Sequence, residues 1–247
     1  MKAAPQAQRR LLDLQALDTN LAQLEHRRRT LPELKEIAGA QGRRTALSEE
    51  IVAARTRSSD LEGELAKAEA DLVPVRERLA RNQKRVDDGS VSDPKALRSM
   101  TEEIEHLHRR ISDLEDAQLE VMERSEAAQG ELAELTERRA SDDAGLRDLV
   151  ARRDEAFATI DADIAERTLE RGAVAAELPA DLLALYTKIA AKGGGVGAAE
   201  LQHGRCGGCQ LEANSADLNR YRAAAPDDVL RCEECNRILV RTGESGL

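Results

Sequence analysis

Apolar residues recur at alternating steps of four and three along two long stretches of this chain, and that repeat constrains the fold more than any other feature. In the first stretch the positions are Leu47, Ile51, Ala54, Ser58, Leu61, Leu65, Ala68, Leu72, Val75 and Leu79, and only Ser58 breaks the apolar rule. A repeat of seven kept up over this length is the signature of a left-handed coiled coil. The second stretch takes up the pattern at Leu97, Met100, Ile104, Leu107, Ile111 and Leu114. It continues, diluted by Gln118, Ser125 and Ala128, through Val121, Leu132, Leu135, Leu146 and Leu149, and Ala156 and Ile160 hold the register. Pro74 lies inside the first stretch, where it removes a backbone donor and crowds the preceding turn, so a bend is expected there.

Between the two stretches runs Asp87-Asp-Gly-Ser-Val-Ser-Asp-Pro94, a strong turn signal. Ser92 or Asp93 can cap a new helix with Pro94 in its first turn. Two heptad segments joined by a short turn fold back as an antiparallel pair, with facing residue numbers summing to about 183. The start of the chain should then meet the region of Glu177-Leu-Pro179, which ends the second helix. Arms of roughly 80 residues at about 1.5 Å each would be about 120 Å long. The first arm begins with Leu14, Leu17, Leu21 and Leu24 at the same spacing. Thr30-Leu-Pro32-Glu33 reads as an internal helix restart with Thr30 as its cap, and Gly39 and Gly42 weaken the helix just beyond it.

Composition agrees with rods rather than a compact core. Aromatic residues are 1% of the chain and charged residues 34%, so the bulky side chains that fill a globular interior are missing. No apolar run approaches the roughly 20 residues needed to span a bilayer, and the polar first ten residues lack the apolar core of a secretory signal, so a cytoplasmic location is expected, with no membrane partner.

Beyond the second arm, residues 179–189 read as a short amphipathic helix with Leu182, Leu185, Tyr186 and Ile189 on one face. Gly193-Gly-Gly-Val-Gly197 reads as a loop or hinge. The cysteines come next. The expected organisation is mostly α: residues 1–178 form a long, kinked antiparallel coiled-coil hairpin with its turn near 87–94. Residues 179–247 form a short helix plus a small C4 zinc ribbon.

Cys206-Gly-Gly-Cys209 and Cys232-Glu-Glu-Cys235 are two C-x-x-C pairs. Tetrahedral zinc takes four thiolates at about 2.3 Å, and a tight turn with two intervening residues presents two of them to one ion. Gly207 and Gly208 are expected to allow the turn's dihedrals, and Asn236 tolerates the left-handed conformation such a knuckle needs. Leu211 and residues 238–240 are expected as short strands packed on the site. A redox C-x-x-C would need a helix N-terminus and a surrounding βαβ pattern, neither of which is visible. Four thiolates also suit iron, but the expected cofactor is one structural Zn²⁺ per chain in a closed shell. His203 reads as a loop residue, and His26, His106 and His108 as solvated helix faces. No phosphate loop, nucleophile elbow or distinct carboxylate pair is present, and the chain reads as non-enzymatic.

The chain resembles a bacterial family of C4 zinc-ribbon proteins with an N-terminal coiled-coil hairpin. The resemblance rests on Val91-Ser-Asp-Pro-Lys-Ala-Leu97 with Glu102-Glu-Ile104, on Leu183-Ala-Leu-Tyr186, and on both cysteine pairs with Asn236-Arg-Ile-Leu239. Asn236 stands where the family commonly has Gly, and Val240 near where it has an aromatic. The resemblance implies a zinc-stapled ribbon on a kinked hairpin, in proteins described as nucleic-acid-binding or regulatory adaptors with links in some lineages to flagellar or secretion systems and transcription factors.

Two functions compete. A nucleic-acid-binding ribbon would use Arg205, Arg220, Arg222, Arg231, Arg237 and Arg241. Against it, residues 196–247 hold those six arginines and eight acidic residues, the whole chain carries −10, and aromatics for base stacking are nearly absent. A protein–protein adaptor, with the ribbon as its docking head and self-association through exposed helices, suits the acidic balance better. The adaptor is the preferred reading and nucleic-acid binding the alternative.

Overall fold

The computed structural model describes residues 1–247, and nearly all of the first 192 are helical. α1 spans Pro5–Arg29, α2 Pro32–Asp87, α3 Pro94–Ala176 and α4 Ala180–Lys192. Five short elements complete the chain: β1 Ala198–Gln202, β2 Arg205–Cys206, α5 Ser215–Ala223, β3 Leu230–Arg231 and β4 Ile238–Arg241. No helix is long and apolar enough to cross a membrane. The chain divides into two compact units, Lys35–Val150 and Met1–Leu34 with Ala151–Leu247.

Unit Lys35–Val150 is the helical hairpin. α2 and α3 pair through the expected seam: Leu47, Ala54, Leu61 and Leu72 are buried from α2, and Ile104, Leu107 and Ala128 from α3. Ser58 and Ser125 occupy seam positions and are buried with them. Arg44–Asp143, Arg57–Glu131, Arg78–Glu103 and Arg76–Glu115 bridge the helices along its flanks. Their residue numbers sum to between 181 (Arg78 with Glu103) and 191 (Arg76 with Glu115), close to the expected register. These pairs are exposed or half-exposed, so they fix register more than they add stability. α2 runs unbroken through Gly39, Gly42 and Pro74. At the turn Asp93 is the cap, accepting from the Ala96 N–H at 3.1 Å.

The other unit joins both chain ends. α1 stops at Thr30, whose hydroxyl donates to the His26 carbonyl at 2.9 Å, so Thr30 closes the first helix instead of opening the second. Arg10 of α1 meets Glu177 at 2.7 Å, as the antiparallel register requires. One core gathers Leu11 and Leu14 from α1, Leu178, Leu182, Tyr186 and Ile189 around α4, and Ala198, Ile238 and Val240 from the sheet. α1 and the end of α3 are therefore built into one unit with α4 and the sheet, not set apart from them at residue 178.

The sheet order is β2-β1-β4-β3, with β1 parallel to β4 and the outer strands antiparallel to their neighbours. The strand expected at 238–240 is β4, buried on both faces, as a central strand in such a layer is. Leu211 is no strand: it is exposed and follows the turn of the first cysteine pair without regular structure. β1 and α5 lack strong local signals. Ala198-Ala-Glu-Leu-Gln202 has little β propensity and is a strand because β4 pairs along it from Ala198 to Leu201. α5 starts at an Asn214 cap, whose side chain accepts from the Asp217 N–H at 2.9 Å.

The glycine run is packed at both of its ends, Gly193 and Gly197. A Cβ on Gly197 would lie 2.7 Å from the Tyr186 carbonyl oxygen and 2.8 Å from its ring, so the backbone is pressed flat against α4. The Gly197 N–H donates to Gln15 Oε1 at 2.7 Å, which ties the segment to α1.

Candidate metal centre

The two cysteine pairs sit in turns with the same backbone design. In the first, the Gln210 N–H donates to the Cys206 carbonyl at 2.8 Å and the Cys206 N–H to the Leu211 carbonyl at 3.0 Å. In the second, the Asn236 N–H donates to the Cys232 carbonyl at 2.8 Å and the Cys232 N–H to the Arg237 carbonyl at 2.9 Å. The residue after each pair is left-handed: Gln210 at φ 65° and Asn236 at φ 63°. Asn236 was readable from sequence because Asn tolerates that region. Gln210 was not, because its side chain gives no such signal.

Gly207 and Gly208 are not the left-handed residues of the knuckle, contrary to the sequence expectation. They are small because the space is taken. A Cβ on Gly208 would approach the Arg237 side chain to 2.6 Å and the Ala199 Cβ to 3.2 Å. The Gly208 N–H also points at Cys206 Sγ across 3.4 Å, the kind of bond that stabilises a metal-bound thiolate.

All four sulfurs lie within 4.8 Å of one another, and the Cys206–Cys235 and Cys209–Cys232 separations are both 3.8 Å. A tetrahedron with bonds of about 2.3 Å has edges of about 3.8 Å, so the sulfurs stand where a single zinc ion needs them. The two close contacts run between the knuckles, so the ion ties one C-x-x-C to the other. Cys206, Cys209, Cys232 and Cys235 thus form a C4 site for one structural Zn²⁺. Its shell is closed by protein sulfur. His203 takes no part and lies beside Glu244.

Burial pushes the Cys206 thiol up to about 12 and also raises Cys232. Burial acts upward on Cys235 too, but the Arg237 N–H and the neighbouring thiols outweigh it and bring that group down to about 7. Zinc requires thiolates, so metal uptake displaces protons from the site.

The six arginines have distinct destinations. Arg237 donates to the carbonyls of Val196, Gly208 and Gly193 at 3.1, 3.0 and 2.9 Å, joining both ends of the glycine segment to the first knuckle. Arg241 gathers the carbonyls of Ala224, Ala225, Pro226 and Asp228, which shapes the loop between α5 and β3. Arg220 pairs with Asp217 and Glu233, and Arg205 with Glu212. Arg222 and Arg231 meet only neutral oxygens, Asn219 Oδ1 and the Asn236 carbonyl. In the sequence alone nothing distinguishes these six cations from one another. The carbonyl acceptors that consume two of them belong to loops whose course no local pattern reveals.

Residues 14–194 match the model of the CT398-like coiled coil hairpin domain, and residues 205–239 the C4-type zinc ribbon domain. An uncharacterised protein of Mycobacterium tuberculosis is 38% identical over 245 residues, covering 98% of both chains. Another from Mycobacterium leprae is 31% identical over 225 residues, covering 90% of this chain and 95% of its own. A solved structure from Mycobacterium smegmatis superposes with a TM-score of 0.84 at 34% identity, covering 98% of this chain and all of its own. CT398 from Chlamydia trachomatis shares the fold at a TM-score of 0.68 and 16% identity, covering 96% of this chain and 98% of its own.

Proposed function

This chain belongs to the CT398-like coiled coil hairpin family, and from that premise we propose that it is a non-enzymatic adaptor whose zinc-organised head docks a protein partner such as a component of transcription or secretion machinery. The observation that carries this reading is the engagement of the ribbon arginines. Arg237 and Arg241 hold backbone carbonyls, and Arg205 and Arg220 are paired with carboxylates. A phosphate-binding surface needs cations that are free to release counterions, and most of these are not. The zinc shell, closed by four sulfurs, leaves no position for a substrate or an activated water, which supports a structural role for the metal.

The alternative, nucleic-acid binding through the ribbon, keeps one supporting observation: Arg222 and Arg231 have no carboxylate partner. The two readings separate in a pull-down from lysate with zinc-loaded full-length protein, run with and without nuclease. Specific proteins retained after nuclease treatment support the adaptor. Loss of all specific material with nuclease overturns it in favour of nucleic acid.

A further inference from the structure

A cavity of about 160 Å³ opens between the C-terminal half of α4 and the second zinc knuckle, lined by Leu185, Lys188, Ile189, Lys192, Arg231 and Asn236 among others. Spacings of three and four put Leu185, Lys188, Ile189 and Lys192 along one side of α4. The floor is aliphatic, with Ile189 buried and Leu185 half-buried. The rim is cationic. Lys188 and Lys192 are exposed and have no carboxylate within salt-bridge distance, and Arg231 contributes a guanidinium bonded only to the Asn236 carbonyl.

That arrangement is unusual for this molecule. The chain carries −10 overall, and its arginines are repeatedly paired with Asp or Glu along the hairpin. Three cations around one apolar depression, left without carboxylate partners in an acidic protein, concentrate positive charge at the rim even beside the zinc thiolates. The chemistry that fits is an extended peptide with an aliphatic side chain flanked by carboxylates. The aliphatic group would cover Leu185 and Ile189, and the carboxylates would answer Lys188, Lys192 and Arg231. A nucleic-acid strand fits less well: the pocket has no aromatic ring to stack a base, and its floor favours an alkyl group over a sugar or phosphate.

We propose that this pocket is the docking site for an acidic, aliphatic-anchored segment of a partner protein. The proposal deepens the adaptor reading and rests on it. The pocket borders Cys235 and Asn236, so the zinc ion fixes one wall while α4 supplies the other.

The test pans a random displayed-peptide library on the zinc-loaded full chain. Enriched peptides are then measured by fluorescence anisotropy on the wild type, on Lys188→Glu with Lys192→Glu, and on Leu185→Ala. Zinc content and circular dichroism confirm that each variant is folded. The expected result is enrichment of peptides that place Leu, Ile or Val among Asp and Glu, with affinity lowered at least about tenfold by the charge reversal and measurably by Leu185→Ala. Acidic peptides that bind the reversed chain as tightly as the wild type overturn the pocket while the adaptor reading stands. Selection of no acidic peptide overturns the proposal. If it is accompanied by charge-sensitive binding of a labelled uridine oligonucleotide, the adaptor reading falls with it. A dimer of the wild type that dissolves on charge reversal, without peptide binding, assigns the pocket to a second copy of the chain and likewise overturns it.

Discussion

The Tyr186 hydroxyl of α4 donates to the Asp18 carboxylate of α1 across 2.6 Å. Arg171, near the end of α3, pairs with the same carboxylate. One turn earlier on α1, Gln15 Oε1 lies 3.2 Å from the Tyr186 hydroxyl and accepts from the Gly197 N–H at the approach to β1. Three helices and the first strand of the ribbon thus converge on one polar cluster, set against the apolar core of Leu11, Leu14 and Leu182. The cluster explains why α1, the end of α3, α4 and the ribbon form one unit: each element supplies a donor or acceptor that another needs.

Removing the hydroxyl should therefore be felt. Tyr186→Phe keeps the ring packing on Gly197 but leaves Asp18 and Gln15 short of a partner. We expect a loss of about 1–2 kcal/mol in the urea unfolding free energy of the zinc-loaded protein. An unchanged unfolding midpoint would show that water replaces the hydroxyl without cost.

Alkaline pH should destabilise the same unit. Burial, reinforced by Asp18, raises the Tyr186 phenol far above its ordinary value of 10.0. The folded state holds the proton that the unfolded state gives up, so this contribution is complete below about pH 10 and fades as pH rises beyond it. Tyrosine absorbance should show Tyr186 ionising only together with loss of structure. Ionisation at the ordinary pH in a chain that stays folded would place the hydroxyl in solvent.

The seam of the hairpin was legible because it depends on local spacing alone. Leu47, Ala54, Leu61 and Leu72 fall on one helix face whatever their partner is, and even the polar exception Ser58 is buried where the repeat puts it. The zinc ligands were legible for a similar reason, since each knuckle is a four-residue device. The long-range pairing escaped. β1 is a strand because of Ile238–Arg241, some forty residues away, and Gly197 is held in place by Gln15 and Tyr186. The fates of Arg237 and Arg241 depend on carbonyls whose positions come from the tertiary fold, so their sequence neighbours carry no trace of them.

Metal removal should separate the two kinds of structure. Chelation is expected to unfold the knuckles while most helical circular dichroism persists, because the hairpin seam contains no metal ligand. Collapse of the whole helical signal would contradict this. Cys232→Ser should lower bound zinc well below one per chain, and unchanged stoichiometry would remove Cys232 from the site.

Arg237→Lys tests whether that guanidinium is structural. A lysine ammonium cannot span three carbonyls set around a planar fork. The substitution should destabilise the ribbon by about 2 kcal/mol and hasten zinc loss to a chelator. Wild-type zinc retention would mean that the three hydrogen bonds contribute little.

The central claim is that the head recognises protein and that its arginines serve the fold. The most direct measurement is anisotropy of labelled single-stranded RNA and duplex DNA titrated with the zinc-loaded full chain at roughly physiological salt. The claim predicts no saturable binding. Saturable binding that weakens steeply with salt and disappears in Arg222→Ala with Arg231→Ala would contradict it.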